Sequence, residues 1–198
     1  MPMVARPRRS ATHRYGILTQ DGCTTRTPVP EEDTVATPLS SRLGFSTDPE
    51  GAFALVTDPA YVEEVAVATG GQDVEVAVTP DGSGGATVVS TRSLPADVPS
   101  YAKALIGESI RLTETRVIGP AAADGSRSGT VRVEFGGAPV SVDGTLALRP
   151  EAAGSAVVVD MSIKASVPFV GGKVERFCAE QIERALAKEE EVAAARLG

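Results

Sequence analysis

The pattern of apolar and polar residues changes at Pro38, where the two kinds of side chain begin to alternate. One face of this segment carries three apolar side chains, Leu39, Leu43 and Phe45, which predicts a first strand. The pairs Asp48-Pro49 and Asp58-Pro59 follow, and each places a capping side chain before a proline suited to the first helical turn. Two short helices are therefore predicted after the strand, the second ending at Gly70-Gly71.

A period of two returns after the second helix and continues for most of the chain. It predicts six further strands, near residues 73–78, 86–93, 108–118, 129–135, 140–148 and 155–167. The connections are mostly short, and Gly82-Ser83-Gly84-Gly85 is typical of a hairpin turn, so neighbouring strands are expected to be antiparallel. Leu94–Pro99 interrupts the pattern, and residues 100–106 are predicted to form one or two helical turns.

The last segment, from Lys173 to about Leu197, has helical spacing. Its apolar stripe consists of Val174, Phe177, Cys178, Ile182, Ala185 and Leu186. Glu175 and Glu183 are assigned to the polar face, and Glu189-Glu190-Glu191 is interpreted as a solvated helix end. Gly171-Gly172 is interpreted as a tight turn into the helix rather than as a hinge that gates a cavity.

The order of these elements predicts an α+β fold. One seven-stranded antiparallel sheet curves around the long C-terminal helix, and the two short helices follow the first strand. Alternation assigns one set of side chains to the concave wall: Val131, Val133, Phe135, Val140, Val142, Leu146, Leu148, Val157, Val159, Met161 and Ile163. A wall of valines under one helix either closes into a filled core or leaves an internal cavity.

Composition separates the first 36 residues from the rest. Residues 1–36 lack an apolar period and are interpreted as a disordered N-terminal extension, which leaves one domain over residues 37–198. No apolar run has the length of a signal peptide or a membrane helix, so a cytoplasmic location without stable membrane insertion is expected. The net charge of −7 has the wrong sign for binding nucleic acid.

Few residues carry reactive chemistry. His13 is the one histidine and there are two cysteines, which excludes a His-based triad within the predicted domain and a four-cysteine zinc cage. No metal or cofactor is expected. Cys178 lies on the apolar helical stripe and is interpreted as a packing residue. Tyr61 and Tyr101 have a polar tip suited to the mouth of a pocket, although core or rim packing is the favoured interpretation.

Glu114 and Arg116 form the most informative charged pair in the sequence. They project to the same side of their strand as Ile110 and Leu112. They are either a buried pair that orients the head group of a ligand or a surface pair on a strand whose register differs by one residue. The surface interpretation is favoured because charges are seldom buried.

Several segments resemble a known family. TDPAYVEEVAVATGGQDVEV, SLPADVPSYAKALIGESIRLTET, APVSVDGTLALRP and VPFVGGKVERFCAEQIERALAKE are similar to actinobacterial domain-of-unknown-function family 2505, in the START-like (SRPBCC, helix-grip) superfamily. The resemblance covers roughly Pro38 to Glu191, and its most specific pieces are Leu94–Pro99 and Val167–Glu175. It implies a helix-grip fold with an apolar pocket between sheet and helix. The superfamily holds lipid carriers, aromatase/cyclases, chaperone activators and quinone-binding proteins, so it does not assign a function.

The expected function is non-catalytic binding or carriage of an apolar small molecule, such as a lipid, an isoprenoid or a polyketide-like compound. The residues expected to bind it are Tyr101, Leu112, Val131, Val133, Val142, Val159, Met161, Val174 and Phe177. One alternative is a cyclase or dehydratase that uses the same cavity, with acid–base work by Glu114, Tyr101 or Asp143. The other is a protein-interaction domain with a filled core. The volume and polarity of the space under the helix distinguish the three.

Overall fold

The structure is a computed structural model that describes residues 36–95, 98–99, 103 and 109–198. Its elements are β1 (Thr37–Phe45), α1 (Pro49–Val56), α2 (Pro59–Ala68), β2 (Gln72–Pro80), β3 (Ala86–Pro95), β4 (Ser109–Ile118), β5 (Arg127–Gly136), β6 (Val140–Glu151), β7 (Gly154–Ala165) and α3 (Gly171–Leu197). Apart from Ala36 and Lys103, the predicted extension and the helical turns predicted over residues 100–106 lie outside the described residues.

The seven strands form one sheet in the order β1-β7-β6-β5-β4-β3-β2. Every neighbouring pair is antiparallel. Five of these pairs join consecutive strands. The sixth pairs β1 with β7, which makes β1 and β2 the two edges of the sheet. The predicted fold class is confirmed.

The two short helices begin where the Asp-Pro pairs predict. The Asp48 side chain accepts a hydrogen bond from the backbone N–H of Gly51 at 2.8 Å, and the Asp58 side chain accepts one from Ala60 at 3.0 Å. Each carboxylate thereby satisfies one of the free N–H groups at a helix start. Both helices bury small or aromatic side chains, among them Ala52 in α1 and Tyr61 in α2.

The core lies between the inner face of the sheet and the helices. The cross-strand register aligns inward side chains, as where Val142 faces Ile163 and Leu146 faces Val159. The predicted concave wall is confirmed as buried or half-buried along β5, β6 and β7. Gly144 has no side chain between these pairs, and an added Cβ would lie 2.8 Å from Cγ of Met161. Met161 therefore covers the position that the glycine leaves open.

Helix α3 starts two residues earlier than predicted, since Gly171 and Gly172 are its first residues. The assignment of Glu175 to the polar face is wrong. Glu175 is 1% exposed, and its carboxylate accepts hydrogen bonds from the backbone N–H of Ala165 at 3.0 Å and from Oγ1 of Thr37 at 2.8 Å. This carboxylate joins the first turn of α3 to β7 and β1.

The last turns of α3 also differ from the prediction of a solvated end. Glu189 is 3% exposed, and a carboxylate oxygen of Glu190 accepts the backbone N–H of Gly44 at 2.8 Å. Glu191 is exposed, as predicted, and pairs with Lys188. Val192 and Ala193 are buried beyond them, so the helix contacts the rest of the fold along most of its length.

Candidate functional site: a cavity under helix α3

A cavity of about 370 Å³ lies between the inner face of the sheet and α3. Strands β1 and β3 to β7 line one side of it, and residues of α1, α2 and α3 line the other. The wall is built mainly from valine, leucine and isoleucine, and the chain contains no tryptophan and only 4% aromatic residues. The volume falls in the lower part of the range of about 300–1,000 Å³ typical of small-molecule sites.

Most of the predicted binding residues line this cavity: Leu112, Val131, Val133, Val159, Met161, Val174 and Phe177. Val142 does not, because its side chain is fully buried in the core beside Ile163. Tyr101 lies outside the described residues. Tyr61 is 1% exposed and donates a hydrogen bond to the backbone carbonyl of Glu189 at 3.3 Å, which confirms the core interpretation for that tyrosine.

Four charged side chains meet at the cavity and are here named the charged cluster: Arg92 of β3, Glu114 and Arg116 of β4, and Glu189 of α3. Nε of Arg116 donates to Glu114 at 2.6 Å. Its two terminal nitrogens donate to the two carboxylate oxygens of Glu189 at 2.6 and 2.8 Å. The favoured surface interpretation of Glu114 and Arg116 is therefore wrong, since both side chains face inward in phase with Leu112. Arg92 and Glu189 were not predicted from the sequence as site residues.

Arg92 is less completely partnered than Arg116. Its side chain is 10% exposed, and its Nη1 lies 3.4 Å from Oγ of Ser90 and 3.6 Å from a carboxylate oxygen of Glu114. Its buried Nε has no hydrogen-bond partner among the described residues. Gly71 lies against the stem, because an added Cβ there would be 2.8 Å from Cδ of Arg92.

Glu114 and Arg116 stay ionised at neutral pH. Burial raises the pKa of Glu114, but the positive charges of Arg116 and Arg92 outweigh it and hold that pKa below its ordinary value. Burial lowers the pKa of Arg116, and the charges of Glu114 and Glu189 outweigh it in the opposite direction. Two guanidinium groups and two carboxylates give the cluster a net charge of zero. Glu114 can accept a hydrogen bond there but carries no proton to donate.

Cys178 also lines the cavity and is half-buried. Burial, followed by the charge of Glu175, raises the pKa of its thiol to about 11. The side chain is therefore a neutral thiol at physiological pH, as expected of a packing residue rather than of a nucleophile.

Two other features are absent from the part of the chain that the structure describes. It contains no group of three or more His, Cys, Asp or Glu side chains placed to hold a metal ion. Of the helices in these same residues, none combines the length and the hydropathy that a membrane span requires.

Residues 40–197 match the profile of a family described as protein of unknown function, DUF2505. The sequence matches no curated protein. Solved structures with a similar fold include TTHA0849 from Thermus thermophilus, with a TM-score of 0.55 at 17% identity, covering 82% of this chain and 100% of that one. The KanY protein has a TM-score of 0.52 at 15% identity, covering 82% and 97%. Ara h 8.0201 has a TM-score of 0.50 at 14% identity, covering 81% and 99%. At these identities the likeness shows a START-like fold and nothing further.

Proposed function

This chain belongs to the DUF2505 family of proteins of unknown function, and on that premise we propose that it binds and carries an apolar small molecule in the cavity under α3. The candidate classes are lipids, isoprenoids and polyketide-like compounds. The observation that carries the proposal is the cavity itself, about 370 Å³ in volume and lined mainly by aliphatic side chains from the sheet and the helix.

Packing supports this proposal. Protein interiors normally leave few voids larger than a water molecule, because wall atoms without a neighbour lose dispersion contacts. Side chains such as Val159, Met161 and Ile182 border the cavity and lack neighbours on that side. An apolar ligand of matching size would supply those contacts and would itself leave water, and both effects favour binding.

The charged cluster favours a second candidate function, a cyclase or dehydratase that uses the same cavity. Of the three acid–base candidates from the sequence, Glu114 lines the cavity. Asp143 instead forms an exposed ion pair with Arg132 at 2.7 Å, and Tyr101 lies outside the described residues. Catalysis would then depend on Glu114 as a base, although both of its arginine neighbours stabilise the anion. The third alternative, a protein-interaction domain, predicts a filled core. The cavity argues against that alternative.

A fluorescence titration with N-phenyl-1-naphthylamine, a neutral apolar probe, tests the proposal on the full chain. Ala185 lines the cavity from α3, and Ala187 is exposed on the same helix, so the two positions form a matched pair. Ala185→Trp places a large ring where the ligand would lie and should weaken binding by at least about tenfold, or 1.4 kcal/mol. Ala187→Trp should leave the dissociation constant within about twofold of the original.

The titration also reports where each new side chain lies. The natural chain has no tryptophan, so each variant carries a single emitting indole. The emission of Ala185→Trp should be blue-shifted by the apolar wall, and that of Ala187→Trp should be typical of water. Saturable binding of one probe per chain that is lost only in Ala185→Trp supports the proposal. Absence of saturable binding, or equal affinities in the two variants, refutes it.

A further inference from the structure

The charged cluster narrows the class of ligand, given the proposed function. We infer that the ligand is amphipathic, with an apolar body and one uncharged oxygen acceptor, such as a ketone or ester carbonyl, that accepts a hydrogen bond from the guanidinium of Arg92. The inference rests on the proposed function. It adds Arg92 to the site as a recognition residue and an oxygen acceptor to the expected ligand.

Arg92 and Arg116 differ in how completely their donors are partnered. Arg116 directs hydrogen bonds from all three of its nitrogens to Glu114 and Glu189, at 2.6 to 2.8 Å. Among the described residues, Arg92 makes one long hydrogen bond, of 3.4 Å to Oγ of Ser90, and its Nη1 lies 3.6 Å from a carboxylate oxygen of Glu114. A buried N–H without an acceptor carries a free-energy penalty that a ligand oxygen would remove. Arg92 is thus the member of the cluster with donor capacity to spare.

Arg92 lies in an apolar part of the cavity wall. It lies opposite Leu112 in the β3–β4 register, with Leu94 two residues further along β3. Leu112 and Leu94 both line the cavity, as Arg92 does. A ligand oxygen at Arg92 would therefore continue directly into an apolar body that lies along the same wall.

The charge of the cluster decides whether the ligand oxygen is neutral or anionic. The cluster is neutral as it stands, with two guanidinium groups and two carboxylates. A ligand carboxylate would add a net negative charge within reach of Glu114, and an unpaired charge in a buried site is costly. A carbonyl oxygen accepts the same hydrogen bond without adding charge. The cluster therefore favours a neutral oxygen over an anion.

Water is the competing partner for Arg92. A small cavity of about 20 Å³ adjoins the main one and is lined by Tyr61, Ser90 and the charged cluster. That volume has room for one water molecule. If a water satisfies Arg92 permanently, the residue is structural, and removing it should not distinguish one apolar ligand from another.

The experiment compares three thirteen-carbon ligands that displace N-phenyl-1-naphthylamine from the full chain: tridecane, methyl undecyl ketone and tridecanoate. Arg92→Met removes the donors and retains the stem, and Arg132→Met on the outer face of the sheet is the matched control. Arg92→Met should weaken the ketone by about tenfold, as expected for a hydrogen bond to a charged group, and tridecane by no more than about twofold. Arg132→Met should change neither ligand. Tridecanoate should bind the natural chain more weakly than the ketone.

A second measurement needs no variant and so remains decisive if Arg92→Met does not fold. The infrared carbonyl stretch of isotope-labelled methyl undecyl ketone, bound to the natural chain, should lie at lower frequency than in hexane. An unshifted stretch, or equal effects of Arg92→Met on ketone and alkane, overturns the role of Arg92 and leaves the proposed function intact. Tighter binding of tridecanoate than of the ketone overturns the preference for a neutral oxygen. If no ligand displaces the probe and the probe itself does not bind, the proposed function fails, and this inference with it.

Discussion

The run Glu189-Glu190-Glu191 allows a sharp test of the buried charges. Glu189→Gln keeps the shape of a buried side chain but removes a carboxylate that accepts two hydrogen bonds from Arg116, at 2.6 and 2.8 Å. The amide oxygen can accept one of these bonds, whereas the amide nitrogen would face a guanidinium donor. Glu191→Gln, two residues further on, alters an exposed pair with Lys188 and serves as the control.

The expected magnitude follows from the remaining partners of Arg116. Removing one member of a buried ion pair typically costs about 3–5 kcal/mol. Arg116 keeps its 2.6 Å hydrogen bond to Glu114 and is itself 23% exposed, so the lower end applies, about 3 kcal/mol. For a chain of this length that corresponds to a fall in Tm of roughly 6–12 °C. Glu191→Gln should stay within about 0.5 kcal/mol of the natural chain.

Urea unfolding followed by circular dichroism gives both free energies. The m-value should be unchanged, which would confirm that the substitutions alter stability rather than the extent of unfolding. If Glu189→Gln is as neutral as Glu191→Gln, the description of Glu189 as a buried carboxylate tightly bonded to Arg116 is refuted.

Four further outcomes are expected. Because the pKa of Glu114 is lowered in the folded chain, its contribution to stability should be complete above about pH 4.5 and be lost as the pH falls below that value. The free energy of unfolding of Glu114→Gln, measured against pH, should therefore fall less steeply in acid than that of the natural chain. An identical pH dependence in the two proteins would contradict the assignment. Phe177→Ala should cost about 1–2 kcal/mol, less than in a filled core, because the ring borders the cavity; a loss above about 3 kcal/mol in urea unfolding would mean a packed site. In a Cys23→Ser background, Cys178 should react with iodoacetamide at pH 8 roughly a hundredfold more slowly than a free cysteine, and more slowly still with the probe bound; a rate typical of a free thiol would contradict its burial. Deleting residues 1–36 should leave Tm and probe affinity unchanged, because the cavity-lining residues of the described part of the chain all lie beyond them. A fall in Tm of more than a few degrees would show that the segment packs on the domain.

Much of the fold could be predicted because its signals are local. The period of two marked each described strand to within a few residues, and Asp48 and Asp58 indicated their helices through side chains that cap the following turn. The helical period found the stripe of α3, from Val174 to Leu186, that faces the cavity. These features depend on near neighbours in the chain, and the sequence displays them directly.

The charged cluster depends on distant residues, and that is why Arg92 and Glu189 were missed and the Glu114–Arg116 pair was assigned to the surface. Glu189 meets Arg116 across 73 positions of sequence, so its solvation depends on which strand lies under the last turns of α3. The sequence nevertheless places these charged residues at the same spacing as the inward-facing apolar residues. Glu114 and Arg116 alternate with the inward Leu112, and Glu189 follows Ile182 and Leu186 on the same helical stripe. The surface assignment followed the rule that charges are seldom buried, but paired charges are an exception to that rule.

The position of a bound ligand decides whether the cavity under α3 binds apolar molecules. A crystal structure of the full chain with bromododecane would locate the bromine by its anomalous scattering. We expect a single bromine peak between the β7 side chains Val159 and Met161 and the α3 side chain Ala185, which face the same cavity. A peak on the outer face of the sheet would contradict it. So would a ligand-free cavity whose wall side chains have repacked to fill the space.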